Sequence, residues 1–289
     1  MKRKRIVIFG ANGMLGHDLR KVLEKDYDLV LTDIQDGDIR DFSFVEKFLN
    51  KNLPSIVINS AAYTDVDGCE KNQKIAMEVN AYGAGNIAKA SKKISSWLIH
   101  ISSDYVFDGK KNLPYKEDDP INPLSIYGKS KALAEELVRK EANNYLIIRP
   151  QWLYGKAGKN FVFTILNLSK KQKEIKVVAD QFGSPTYTYE LSKAIKVAIE
   201  KKLQGIFHIA ASGYCSWYDF AKEILKISGI TETEVIPISS DDLKRPASRP
   251  NNSKLDCSKW QKFTSFPMKS WQKALKDFIL SIKQEGIFK

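Results

Sequence analysis

The sequence predicts an α/β protein built on a doubly wound parallel sheet, with a smaller α+β portion attached. Three observations carry that expectation. Short, continuous apolar runs alternate with longer helical patterns through the first half of the chain, a glycine-rich turn separates the first run from the first helix, and beyond Pro150 the alternation loosens. Parallel strands covered by helices on both faces read as unbroken apolar runs, and strands alternating with helices are the signature of a doubly wound sheet.

The runs "RIVIFG", "LVLTD", "SIVINSAA", "WLIHISS" and "YLIIRP" are the expected strands, each read as buried on both faces. Between the first two, Leu15, Leu19, Val22 and Leu23 recur at helical spacing. After Pro150, "NFVFTILNLS", "LSKAIKVAIE", "WYDFAKEILKIS" and "SWQKALKDFILSI" read as helices, and "IKVVAD", "GIFHIAA" and "EVIPIS" as strands. The division this suggests is a dinucleotide-binding part over residues 1–150 and a mainly substrate-binding part over 151–289, some of whose segments return to the first sheet. "SSDDLKRPASRPNNS" is the most loop-like polar stretch, and there is no internal repeat.

"IVIFGANGMLG" places Gly10, Gly13 and Gly16 between the first strand and the first helix. Glycine there permits a tight turn and close approach of backbone to a pyrophosphate, which the positive end of the helix attracts. The spacing is GxxGxxG, wider at its first gap than GxGxxG, and a turn without ligand is the alternative. Asp33, ending the second strand, stands where a carboxylate accepts hydrogen bonds from the adenosine ribose hydroxyls of a Rossmann-bound dinucleotide. It would repel a 2′-phosphate, and no arginine follows before Arg40. NADH is therefore favoured, with NADPH as the alternative.

In "SIYGKSK", Tyr127 and Lys131 lie four residues apart and so share one helix face. An ammonium beside a phenol favours phenolate and would lower a pKa of about 10. A lone Y-x-x-x-K is common by chance, but "HISSDYVFDG" adds Ser102, Ser103 and Asp104 after the fourth strand, at the sheet edge where doubly wound folds bind ligands. Each of these residues could alone be a cap or loop residue. Together, the glycine turn, the hydroxyl and the Tyr/Lys pair occur in the order expected of one site.

The remaining chemistry is narrow. With 46 Lys+Arg against 34 Asp+Glu the net charge is +12, but the lysines are scattered along helical segments without a nucleic-acid module, so an anionic small molecule is the expected partner. Cys69, Cys215 and Cys257, like the three histidines His17, His100 and His208, are too dispersed for a metal site or a disulfide framework. No apolar run approaches the roughly 20 residues needed to cross a bilayer, and "MKRKR" leads into no leader-like core, so a cytoplasmic location without membrane contact is expected.

At this point the sequence resembles the extended short-chain dehydrogenase/reductase family, in its branch of nucleotide-sugar reductases. The likeness runs nearly end to end through "GANGMLG", "NSAAYTDVDGCE", "VNAYGAGNIAKA", "ISSDYVFDG", "NPLSIYGKSKALAE", "VVADQFGSPTY", "GIFHIAASGYCSWYDFA" and "RPASRPNNSKLD". It implies reduction of the C4 keto group of dTDP-4-dehydro-6-deoxy-L-mannose to dTDP-L-rhamnose, with Ser103, Tyr127 and Lys131 as the catalytic trio. It also implies cofactor contacts at Gly13, Met14, Leu15, Asp33, Asp38, Ile39, Ala62, Tyr63 and Thr64, and sugar-nucleotide contacts at Val66, Asp104 and Trp152. The plain alternatives are core packing for Val66 and Trp152 and small strand-end packing for Ala62. Arg245 and Arg249 match diphosphate geometry, with surface salt bridges as the alternative.

Pro150 and Gln151 in "RPQWLYG" stand where the family often has "TSW" or "SSW", which leaves the sugar open. Tyr105 follows Asp104 where related dehydratases carry Glu. The alternatives are a reductase or epimerase of another nucleotide sugar, and a non-catalytic dinucleotide-binding subunit like the partner of methionine adenosyltransferase. A homodimer is among the assemblies the likeness allows.

Overall fold

The computed structural model describes residues 3–288. Six parallel strands form the main sheet: β1 (Arg5–Phe9), β2 (Asp28–Thr32), β3 (Ile56–Asn59), β4 (Trp97–Ile101), β5 (Tyr145–Arg149) and a late strand, Gly205–His208. Three two-residue strands, β6 (Leu153–Tyr154), β8 (Phe182–Gly183) and β9 (Thr186–Tyr187), and β7 (Glu174–Val178) precede that late strand, β10. β11 (Cys215–Ser216) and β12 (Glu234–Ile238) follow it. The sheet order is β10-β5-β4-β3-β1-β2, so the chain turns outward in opposite directions from β1 and β3. Clefts for ligands open at the carboxyl ends of the strands flanking such a reversal.

Alternation along each strand sorts side chains to two cores. Ile6 and Ile8 of β1 join Leu15, Leu19 and Leu23 of helix α1 (Met14–Leu23), while Val7 and Phe9 face Val45 and Leu49 of α2 (Phe42–Asn52). β1, β3, β4 and β5 are buried almost throughout, as their apolar runs predict. β2 departs from that expectation: Asp28 to Leu31 are only half-buried because the strand forms the sheet edge.

α3 (Val66–Lys71) and α4 (Gln73–Ala76) lead through a π-helical turn, Met77–Tyr82, into α5 (Gly83–Lys93). α6 (Ile126–Glu141) carries the Tyr/Lys pair and starts where the Ser125 hydroxyl accepts from the Gly128 N–H at 3.1 Å. Its body is pinned to the strand ends by a buried network. Arg149 donates to Glu135 at 2.6 and 2.8 Å, and the Ser102 hydroxyl donates to the same carboxylate at 2.5 Å.

A second core lies beyond the sheet. β7 and β12 pair in parallel, and α7 (Phe161–Ser169), α9 (Trp217–Ser228) and α11 (Trp271–Gln284) pack with them through Ile165, Phe220, Ile224, Leu275 and Phe278. α9 opens with a reciprocal cap between Ser216 and Asp219. α8 (Thr188–Lys201) and α10 (Ser258–Thr264) instead cover the main sheet, contributing Leu191, Ile195 and Trp260 to the core shared with α1. The two portions thus interleave along the chain.

Candidate active site

Gly10 has φ +75°, and a Cβ on it would lie 2.6 Å from the Ala61 nitrogen; a Cβ on Gly16 would lie 2.2 Å from the Gly10 oxygen. Side chains are therefore excluded at both positions, and the turn can press against the end of β3. Gly13 caps α1 without a side-chain partner, and the first turn holds no acidic residue. The N–H groups of that turn are left for an anion.

Beside the turn lies a cavity of about 580 Å³ lined by Gly10, Gly13, Asp33, Asp38, Ile39, Ala62 and Tyr63. Ile34 and Ile75 at its rim are 61% and 43% exposed, an apolar frame suited to a flat ring. Asp33 already accepts from the backbone N–H groups of Asn12 and Ile34, both at 2.8 Å, so it braces the glycine turn as well as facing the cavity. Arg40 also lines the cavity, clamped by Asp38 at 2.6 and 2.8 Å and reaching Glu78 at 3.3 Å. These features fit a dinucleotide.

Other expected cofactor positions lie outside the cavity lining. Leu15 packs into the core, leaving its backbone as the part that could reach a ligand, and Thr64 is exposed. Met14 and Gly16 likewise belong to the first turn of α1.

The catalytic candidates converge at the end of β4. A Cβ on Gly128 would lie 2.3 Å from the Tyr105 oxygen, so glycine lets α6 approach the 104–106 turn closely. Tyr127 is brought edge-on to Tyr105, with centroids 5.5 Å apart, and its phenol faces the Ser103 hydroxyl. Ser103 donates to Asp104 at 3.0 Å and accepts from the Tyr105 N–H at 3.2 Å.

The charge relation differs from the expected one. Burial pushes the Tyr127 phenol well above its ordinary value, opposed by the hydrogen bond with Ser103. No lowering by Lys131 opposes this, and the Lys131 ammonium donates to the Ile101 carbonyl at 2.6 Å. Burial instead lowers Lys131 to about 8, against the opposing field of Glu135. The phenol is thus held protonated at neutral pH, the form a proton donor needs. Asp104 is also buried, and burial pushes it up to about 6 despite hydrogen bonds from Ser253, Ser103 and Gln151.

Val66 begins α3 and is half-buried, outside the lining of the glycine-turn cavity. Trp152 has a left-handed backbone, φ 45°, and stacks on Trp217 with centroids 3.7 Å apart. Arg245 and Arg249 line a second cavity of about 280 Å³ with Gln181 and Lys244. Arg249 is engaged: it donates to both oxygens of Asp67 at 2.9 and 3.0 Å, tying the "RPASRPNNS" loop to α3. Among the described residues Arg245 forms no ion pair.

Sequence reasoning missed Asp67, Tyr105 and Ser253 as parts of this assembly. Only contacts between distant segments reveal them. Gln151 had a signal, its departure from the hydroxyl-rich pattern. The histidines play structural parts: His100 meets Asn59 at 3.2 Å, and His208 sits between Arg149 at 3.3 Å and the Tyr115 carbonyl at 3.1 Å. Among the described residues no cluster of three or more His, Cys, Asp or Glu could hold a metal ion, and no helix is long and apolar enough to cross a membrane.

The sequence matches a family model over almost the whole chain. The profile of the RmlD substrate binding domain fits residues 4–284. The chain belongs to this family. Spore coat polysaccharide biosynthesis protein SpsK of Bacillus subtilis is 39% identical, covering 95% of this chain and 96% of its own. The dTDP-4-dehydrorhamnose reductase of Aggregatibacter actinomycetemcomitans is 37% identical, covering 94% and 97%. A crystal structure of the dTDP-4-dehydrorhamnose reductase of Bacillus anthracis in complex with NADP superposes with a TM-score of 0.94 at 39% identity, covering 97% of this chain and 100% of its own. Family membership agrees with the parallel sheet and with a nicotinamide dinucleotide as cofactor.

Proposed function

We propose that this protein is an NAD(P)H-dependent reductase that converts dTDP-4-dehydro-6-deoxy-L-mannose to dTDP-L-rhamnose. The observation that carries the reading is the convergence of buried Ser103 and Lys131 with half-buried Tyr127 at the end of β4, on the side of the sheet edge where the glycine turn lies. The names of the relatives support the substrate class. Residues 1–150 hold most of the dinucleotide part, and 151–289 supply most of the sugar-nucleotide part.

When bound, the reduced nicotinamide supplies the hydride that C4 accepts. As the C4 oxygen gains charge, the Ser103 hydroxyl turns from Asp104 to donate to it, and Tyr127 delivers its proton there. Lys131 would exchange its bond to Ile101 for one to the nicotinamide ribose and offset the charge left on the phenolate. Gly10 and Gly13 admit the pyrophosphate. Asp33 receives the ribose hydroxyls, which favours NADH; Arg40, once released from Asp38, offers a partner for the 2′-phosphate of NADPH. Trp152 and Val66 face the sugar, and Arg245 is the cation at hand for its diphosphate. Arg249 joins only by exchanging Asp67.

The test is anaerobic incubation with a panel of 4-keto nucleotide sugars, following loss of NADH or NADPH and identifying products. The dTDP-linked 4-keto-6-deoxysugar should be reduced fastest. Failure to turn over any of them, with no binding of dTDP-rhamnose beside oxidised cofactor, would favour the dinucleotide-binding regulatory subunit.

A further inference from the structure

Gln151 is buried at the meeting point of the sheet end and the second portion, and the chemistry above assigns it nothing. The orientation of its amide is dictated by its partners. The Ser184 N–H can only donate, so Oε1 must face it, at 2.7 Å. The Ser253 carbonyl can only accept, so Nε2 must face it. From there Nε2 also reaches the Ser253 hydroxyl at 2.7 Å and Asp104 Oδ2 at 3.3 Å. The other Asp104 oxygen accepts from the Ser103 hydroxyl at 3.0 Å.

Two segments of the second portion therefore meet the Asp104 carboxylate, the Ser184 segment through the Gln151 amide and the Ser253 segment both through that amide and directly through its hydroxyl, and the carboxylate in turn takes the Ser103 hydroxyl. Both segments are well anchored. The Ser184 hydroxyl donates to the Ala211 carbonyl at 2.5 Å, and the Ser253 N–H donates to the Phe182 carbonyl at 3.0 Å. The Asp104 N–H donates to the Pro150 carbonyl at 3.2 Å, so the backbone beside Gln151 carries the same register. A buried carboxylate with few donors is strongly sensitive to the loss of one.

We propose that Gln151 is a positioning residue for the reduction: by donating to Asp104 it fixes the carboxylate that takes the Ser103 hydroxyl, so the segments around Ser184 and Ser253 set where that hydroxyl stands. The proposal rests on the reading of Ser103 as the donor to the C4 carbonyl. Trp152 is the next residue, so the same amide also links the sugar-facing ring to the carbonyl end. A shorter side chain at position 151 could not span from Ser184 to Asp104.

Gln151→Glu is nearly isosteric. It keeps the acceptor for the Ser184 N–H but sets an oxygen against Asp104 and the Ser253 carbonyl. Asp104→Asn restores a donor to that contact. The experiment is the double-mutant cycle of these two changes, read as kcat with the dTDP-linked 4-keto-6-deoxysugar and as Kd for the reduced cofactor. Gln151→Glu should lower kcat roughly tenfold or more, the scale of a hydrogen bond to a charged group, and leave cofactor Kd unchanged. In the Asp104→Asn background the same change should cost clearly less, the remainder being the oxygen still set against the Ser253 carbonyl. Additive losses, or a parallel loss of cofactor affinity, would show Gln151 to be only a structural tie and overturn the proposal. If Gln151→Glu does not fold, Gln151→Ala carries the same cycle with the same two outcomes. An inactive wild type would instead defeat the functional reading itself.

Discussion

Lys131 gives its ammonium to the Ile101 carbonyl at 2.6 Å, although Tyr127 lies one helical turn away on the same face. Burial raises the phenol and lowers the ammonium, so the phenol is held protonated while the lysine holds its proton less tightly.

That arrangement sets a basic limit on activity. Burial lowers Lys131 to about 8 from its ordinary value of 10.5, so the ammonium is present below that pH and lost as pH rises through it. The kcat/KM for reduction should fall above about pH 8, and Lys131→Arg, charged throughout, should remove that limb even if its rate is low. A wild-type profile flat to pH 9.5 would separate Lys131 from the reaction. The same shift acts on folding in the opposite sense: the cost of burying the charge is fully present below about pH 8 and relieved as pH rises toward 10.5.

Tyr127→Phe removes the proton and keeps the ring that meets Tyr105 edge-on. Turnover should drop by roughly a hundredfold or more, as for other positioned general acids, while the reduced cofactor still binds. Stopped-flow hydride transfer and fluorescence titration measure the two separately. Equal rates for variant and wild type would remove Tyr127 from the mechanism.

Asp33 has two duties, so its loss should have two effects. Asp33→Ala withdraws the acceptor for the Asn12 and Ile34 N–H groups and the partner for the ribose diol. NADH affinity should fall by roughly tenfold, the scale of a hydrogen bond to a charged group, and the preference for NADH over NADPH should narrow. Dissociation constants for both, at one ionic strength, check this. A wild type that binds NADPH far more tightly would reject the ribose assignment.

Gly16→Ala tests the turn by sterics alone. The added methyl would stand 2.2 Å from the Gly10 oxygen, a backbone atom that cannot rotate away. The variant should lose roughly 1–3 kcal/mol of stability, as overpacked sites do, and bind cofactor weakly. Thermal melting with and without NADH measures both, and an unchanged melt would show that the turn can move.

The sequence by itself determined the elements and the candidate catalytic groups. Apolar runs such as "RIVIFG" and "WLIHISS" are local records of burial, and glycines at 10, 13 and 16 record a turn that excludes side chains. Tyr127 and Lys131 are set on one face by helical periodicity alone. Tertiary structure decided what these groups are bonded to. The exposed flank of β2 follows from its place at the sheet edge, the capture of Arg249 by Asp67 from a contact 182 residues apart, and the link from Gln151 to Ser253 from one 102 residues apart. The direction of the Tyr127 shift was decided there too, because desolvation depends on everything packed around the phenol, while sequence spacing reports only its neighbour in the helix.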